Sequence, residues 1–196
     1  MALSNDCGLV VVGAGGHAKV IIDIVRKSGG CEVLGLVDDD KVGMEFQGLK
    51  VLGSIDQLEQ LNSKLAIIAI GHNEVRARIA EDLAARGFSF PTCIHPSAVI
   101  GEDVTIGEGT VVMANAVINP SSVVGKHCIV NTAATVDHDN KIEDFVHLSP
   151  GCHLAGNVTV CSGAHCGTGV IAIPGTKIGR NTIVGAGAVV VTDIPE

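Results

Sequence analysis

The sequence predicts two folding units in series: an α/β unit of Rossmann-like type over residues 1–92 and a hexapeptide-repeat parallel β-helix over 93–196. Three observations carry that reading. Apolar runs of strand length alternate with amphipathic helical stretches in the first third of the chain. From Ile94 onward an aliphatic or small apolar residue returns at every sixth position. Aromatic residues make up only 2% of the 196 residues, whereas glycine supplies 25. Aromatics ordinarily furnish large pieces of a core, so their scarcity points to thin layers of small and branched side chains.

The elements of the first unit follow in order. Residues 9–12 form an apolar strand that runs into Gly13-Ala14-Gly15-Gly16-His17. Residues 18–28 have helical spacing, with Val20, Ile21, Ile24 and Val25 on one side. Residues 33–37 read as a second strand that ends in Asp38-Asp39-Asp40, and 55–61 as a short helix. Residues 65–70 read as a third strand, ending at Gly71-His72-Asn73. A helix over 74–86 is closed by Gly87. Pro91 and Pro96 mark the passage into the repeat.

The repeat runs through seventeen positions from Ile94 to Val190, of which fifteen are Val, Ile or Leu and the others Cys166 and Ala172. Two residues before each lies a column of mostly small residues, such as Thr110, Ala116, Ser122, Cys128 and Ala134, suited to tight corners. The position after each aliphatic is often Gly, Asn or Asp, as at Gly101, Gly107, Asn119 and Asp137, and reads as the turn. Period six suits a short strand and a turn on each face of a triangular prism, so about five coils fit. An alternating sandwich would not hold register over that many steps.

Composition excludes several functions. A net charge of −8 gives no electrostatic footprint for nucleic acid. No run of eighteen apolar residues indicates a membrane span. The first eight residues lack the basic start of a secretory signal. Cys7, Cys31, Cys93, Cys128, Cys152, Cys161 and Cys166 form no CxxC pair and read as small buried thiols. A cytoplasmic protein without membrane insertion is expected.

Three places carry candidate chemistry. Open parallel sheets bind ligands at the carboxyl ends of their strands, where glycines admit a phosphate to a helix N-terminus. Gly13-x-Gly15-x-x-Ala18, with Asp38 downstream, fits the dinucleotide fingerprint. One such half in about ninety residues suits a mononucleotide diphosphate better than NAD; a purely structural turn is the remaining alternative. The second place is Val136-Asp137-His138-Asp139-Asn140, where Asn140 breaks the small-residue column. A carboxylate beside an imidazole fixes its tautomer and raises its basicity; a solvated polar corner is the plainer reading. The third is His147, His153 and His165. His147 and His165 are eighteen apart and should stack on adjacent coils, but no carboxylate-rich ligand set accompanies them for a metal.

Together these residues resemble the NeuD/PglD-type sugar acetyltransferases, which are left-handed β-helix enzymes with an N-terminal nucleotide-sugar domain. The resemblance is carried by Gly13-Ala14-Gly15-Gly16-His17, Val37-Asp38-Asp39, Ala69-Ile70-Gly71 and Val136-Asp137-His138-Asp139. Two further stretches, His147-Leu148-Ser149-Pro150-Gly151 and Leu154-Ala155-Gly156-Asn157-Val158, complete it. It implies a homotrimer with active sites between neighbouring β-helices and acetyl-CoA as co-substrate, with no bound cofactor and no metal. It implies His138 as general base and Asp139 as the acid that raises its basicity. Gly15, Gly16, His17, Asp38, Asp39 and Gly71 would bind a nucleotide-linked amino sugar, UDP being the nucleotide expected first. His147, Gly156, Thr168 and Ala186 would contact acetyl-CoA. Family members usually continue past Asp193-Ile194-Pro195-Glu196 to a G-x-P-A-[KR] motif that helps enclose CoA. The sequence at hand stops at Glu196, so either it is a piece of a longer chain or CoA is expected to be held more weakly or enclosed differently.

The implied activity is N-acetylation of a 4-amino-4,6-dideoxy sugar for bacterial surface glycans. Its rivals are O-acetylation of a sialic acid or related sugar, a metal-dependent lyase of the γ carbonic anhydrase kind, and a non-catalytic nucleotide-sugar sensor.

Overall fold

The computed structural model describes residues 8–196. The chain divides into two compact units at the Cys93–Ile94 peptide.

In the first unit, β1 (Gly8–Val12) lies between β2 (Glu32–Val37) and β5 (Leu65–Ile68), parallel to both. β4 (Leu49–Gly53) extends the sheet parallel to β2, and β3 (Glu45–Phe46) hairpins onto it, giving the order β3-β4-β2-β1-β5. The α1 helix (Gly16–Ser28) follows β1, and α2 (Asn73–Ala85) follows β5. Because β1 is flanked on one side by β2 and on the other by β5, the order reverses at β1. A crevice therefore opens at the carboxyl ends of β1 and β5, where such sheets hold ligands. Leu9, Val10, Val11 and Val12 are fully buried, as central parallel strands require.

Several expectations for this unit need correction. The β3–β4 hairpin was not expected, because 49–53 are buried only at Val51 and Gly53 and carry too short an alternation to stand out. Strand 65–70 ends at Ile68. The helix over 55–61 is a 3₁₀ helix, Ile55–Gln60. On α1 the buried face is Ala18, Ile21, Ile22, Ile24 and Val25, while Val20 is exposed. Cys31 is not a buried free thiol: it lies half-buried in the turn after α1 and is disulfide-bonded. Cys7 lies outside the described residues, and the other five cysteines are free and buried.

The second unit is the left-handed β-helix. Seventeen two-residue strands, from Cys93–Ile94 to Val189–Val190, fall into three parallel sheets of six, five and six strands. Each aliphatic of the six-residue column is the second residue of its strand, and register advances by eighteen, as in Val117↔Thr135 and Ile118↔Val136. The small-residue column lies inside with it: Ala116, Cys128, Ala134, Cys152, Val158 and Ala164 join the aliphatics in one continuous core.

The turns are not where the sequence pattern put them. Positive φ falls three residues after each column position from Ile100 to Val184, at every sixth residue from Asp103 (φ 55°) through Asp139 (φ 58°) to Gly187 (φ 71°). The glycine directly after an aliphatic serves a different need. A Cβ on Gly107 would lie 2.6 Å from Gly125 C, and one on Gly101 2.6 Å from Pro120 N. That position is set by the close approach of the next coil, not by dihedral freedom.

Candidate active site

The glycine run at the end of β1 contains glycines of two kinds. Gly13 has φ +100°, and a Cβ there would meet Ile70 Cδ1 at 2.7 Å, so the fold itself requires glycine. Gly15, Gly16 and Gly71 have no positive φ, and a Cβ on any of them would meet nothing within 4 Å. Nothing within the chain demands glycine at those three, and each opens onto free space at the carboxyl ends of β1 and β5. Gly15 caps α1 without any side-chain hydrogen bond, and the first turn of α1 holds no acidic residue. That leaves the positive end of the helix available to an anion.

Asp38 and Asp39 follow β2. Asp38 Oδ2 accepts the Ala14 N–H at 2.7 Å, and Asp39 Oδ1 accepts the Ile55 N–H at 2.9 Å. Both carboxylates thus also order backbone beside the crevice. His17 is mostly buried, with Nε2 lacking a partner among the described residues. Burial, and then the nearby Arg76 charge, pushes its pKa down to about 4, so it is neutral at pH 7. Arg76 is buried and donates to the carbonyls of Ile70 and Gly71 at 3.0 and 3.1 Å and to Asn73 Oδ1 at 2.8 Å. It pins the Gly71 turn from beneath. Sequence reading missed it, because an arginine on an amphipathic helix reads as solvated.

In the coil, the corner after Val136 is organised around His138. Asp139 sits in the left-handed conformation and folds its carboxylate back onto the ring, with Nδ1···Oδ2 at 2.7 Å. Asp139 therefore holds the Nδ1–H tautomer and leaves the Nε2 lone pair on an exposed ring. The hydrogen bond that the ring donates to Asp139, and then the Asp137 charge, raise the His138 pKa above its ordinary value. Asp137 is itself oriented by Asn119 Nδ2 at 2.8 Å and by the His138 N–H at 2.8 Å.

Two neighbours fix the ring's position. Gly156, one coil on, lies against it: a Cβ there would fall 2.6 Å from Cε1 and 2.7 Å from Nε2. Asn140, which breaks the small column, is buried with its amide fully used. It donates to the carbonyls of Asp137 and Ala155 at 2.7 and 3.0 Å and accepts the Val158 N–H at 2.7 Å. It binds the His138 coil to the Gly156 coil.

His147 and His165 stack as their spacing predicted, with centroids 4.5 Å apart and planes within 10°. Asn131 Nδ2 meets His147 Nε2 at 3.2 Å, and Ser149 Oγ meets His165 Nε2 at 2.9 Å. His153 lies on a different sheet, against Thr135 Oγ1 at 2.9 Å, so the three histidines do not converge. Thr168 and Ala186 are exposed on one corner of adjacent coils, where the Gly187 N–H reaches the Thr168 carbonyl at 2.8 Å.

The structure brings His138, Asp139 and Gly156 together on one edge of the prism, between the sheets of Thr135–Val136 and Lys141–Ile142. Thr168 and Ala186 lie on another edge, between the sheets of His165–Cys166 and Ile171–Ala172, and His147 lies on the first of those two sheets. The two groups do not meet within one chain.

These features define a class: β-helix proteins of the left-handed hexapeptide kind preceded by a Rossmann-like unit. A family model described as the PglD N-terminal domain matches residues 8–83. The acetyltransferase domain of PglB from Neisseria gonorrhoeae FA1090 has a TM-score of 0.93 at 41% identity, covering 97% of this chain and 94% of that one. A substituted perosamine N-acetyltransferase from Caulobacter crescentus, solved in complex with CoA and GDP-perosamine, gives 0.92 at 40% identity over 97% and 91% of the two chains. UDP-N-acetylbacillosamine N-acetyltransferase of Bacillus subtilis (strain 168) is 42% identical over 110 residues, 54% of this chain and 51% of the relative. The chain spans about half the length, or less, of the first curated relatives it matches. It belongs to the PglD/NeuD-type sugar acetyltransferases. No helix among the described residues is long and apolar enough to cross a membrane.

Proposed function

We propose that this chain transfers the acetyl group of acetyl-CoA to the amine of a nucleotide-linked 4-amino-4,6-dideoxy sugar, in the cytoplasm, for surface glycan synthesis. The observation that carries the reading is the 2.7 Å pairing of His138 Nδ1 with Asp139, which leaves an exposed Nε2 lone pair as base. The solved relative that holds CoA and GDP-perosamine together supports the pair of substrates.

The chemistry follows from that geometry. A sugar amine is protonated at neutral pH and is not nucleophilic. The ammonium first loses one proton to solvent, and His138 Nε2 then takes a second from the neutral amine as its nitrogen bonds to the thioester carbonyl carbon. The C–S bond then breaks, CoA leaves as thiolate, and the imidazolium returns a proton to sulfur. Asp139 stabilises the transient imidazolium throughout. The diphosphate of the sugar nucleotide sits against Gly15 and Gly16 at the start of α1, with Asp38, Asp39 and Gly71 beside it.

Because His138 and the His147–Thr168–Ala186 group occupy different edges of one prism, a complete site is assembled between copies of the chain, as a homotrimer. The test is a panel of UDP-, dTDP- and GDP-linked 4-amino-4,6-dideoxy sugars, each with acetyl-CoA, following free thiol release. Amide formation on one of them is the expected result. Thiol release with only a hydroxyl acceptor would move the activity to O-acetylation, and none with any acceptor would defeat the reading.

A further inference from the structure

The loop after β2 applies two opposite charges to a single residue of the glycine run. Ala14 donates its N–H to Asp38 Oδ2 at 2.7 Å, and its carbonyl accepts from Lys41 Nζ at 2.7 Å. Lys41 is half-buried and, among the described residues, is paired with no carboxylate. The acidic neighbours are tied to backbone donors instead: Asp38 Oδ1 takes the Asp40 N–H at 3.1 Å, and Asp39 Oδ1 takes the Ile55 N–H at 2.9 Å.

The consequence lies on the other side of the peptide. No peptide bond among the described residues is cis, so the Gly15 N–H points opposite to the Ala14 carbonyl that Lys41 holds. That N–H, like those of Gly16 and His17, has no acceptor among the described residues. It opens where neither Gly15 nor Gly16 would crowd a ligand. A cation on a carbonyl oxygen polarises the amide and makes its N–H a stronger donor to an anion. It also offsets the carbonyl's own negative potential beside three consecutive aspartates.

We propose that Lys41 is a positioning residue for the nucleotide sugar, acting through the Ala14–Gly15 peptide to aim the Gly15 N–H at the diphosphate. This rests on the nucleotide-sugar reading of the first unit. Calorimetric titration of the wild-type chain with UDP, dTDP and GDP selects the diphosphate that binds. That nucleotide and its unphosphorylated nucleoside, the latter by competition, are then titrated into Lys41→Met and Lys41→Arg.

Diphosphate affinity should fall about tenfold or more in Lys41→Met, as expected for loss of a charge-assisted contact, while nucleoside affinity stays within about twofold. Lys41→Arg should recover most of the diphosphate affinity. If nucleoside and diphosphate weaken in parallel, Lys41 merely shapes the loop and the proposal is overturned; it is overturned equally if neither weakens. A wild-type chain that binds none of the three diphosphates would defeat the nucleotide-sugar reading itself, and this proposal with it.

Discussion

In the α/β unit no two buried positions are equivalent, whereas in the coil nearly every residue repeats the role of one eighteen positions away. Leu9 and Ile67 pack in settings of their own, but Val112, Val130, Leu148 and Cys166 are successive rungs of one ladder. The repeat makes exceptions visible. A residue that departs from its column, such as Asn140, announces local work, while the α/β unit offers no column to depart from. Its working residues show instead as freedoms that nothing in the fold explains, such as Gly15 and Gly16, where a Cβ would touch nothing. Excess order marks the site in one unit, and unexplained space marks it in the other.

The largest effect is expected at the coil corner. His138→Ala should lower turnover by roughly two to four orders of magnitude, as loss of a general base does, and should remove the rise of rate with pH through the imidazole range. Steady-state kinetics across pH 5–9 read both. A variant that keeps its turnover and its pH limb would return His138 to the status of a solvated corner residue.

Next in size is a stability effect in the first unit. With the folded pKa of His17 lowered to about 4, the unfolded chain takes up its proton first as pH falls. The contribution of neutral His17 is complete above about pH 6.5 and is lost as pH drops toward about 4, by roughly 2–3 kcal/mol. In urea titrations His17→Gln should flatten the pH dependence of stability between 7 and 4 relative to wild type. Equal slopes would show that the ring is not held neutral by burial.

The glycines separate the two units directly. Gly15→Val should leave the melting temperature nearly unchanged, since a Cβ there meets nothing within 4 Å, yet raise the Michaelis constant for the sugar nucleotide about tenfold or more by blocking approach to the loop. Gly107→Val, which would drive a side chain into the Gly125–Lys126 backbone, should instead lower the melting temperature. Thermal scans and initial rates on both variants decide whether the two classes of glycine are real.

The smallest expected effect is at Asp139. Because its hydrogen bond leads the upward shift of the His138 pKa, Asp139→Asn should move the acid limb of the pH–rate profile to lower pH and reduce the plateau by roughly tenfold. A limb that stays in place would mean that Asp137 alone sets the basicity.

How far the sequence carried these conclusions depended on whether a residue's role was periodic, adjacent or distant. The column from Ile94 to Val190 could be read directly, because every rung has the same environment. The pairing of His138 with Asp139 was legible because the partners are neighbours in the chain. The turn position was misplaced by two residues: glycine is common both where φ is positive, as at Gly109, and where coils touch, as at Gly107, and composition does not tell the two apart. Arg76 under the Gly71 turn and Lys41 on the Ala14 carbonyl were invisible for another reason. Each donates directly to backbone that lies elsewhere in the sequence, and carbonyl acceptors leave no trace in residue identity.

The eighteen-residue register gives the coil something like a reading frame. Adding one residue inside a strand would shift everything after it by one column, turning inward aliphatics outward and moving His138, Gly156 and Thr168 off their edges. Adding a whole coil would restore the phase and simply lengthen the prism. Such a chain can vary readily in length by complete turns and hardly at all by fractions of one, so its history of insertions should be written in multiples of eighteen or confined to loops that bulge from a corner.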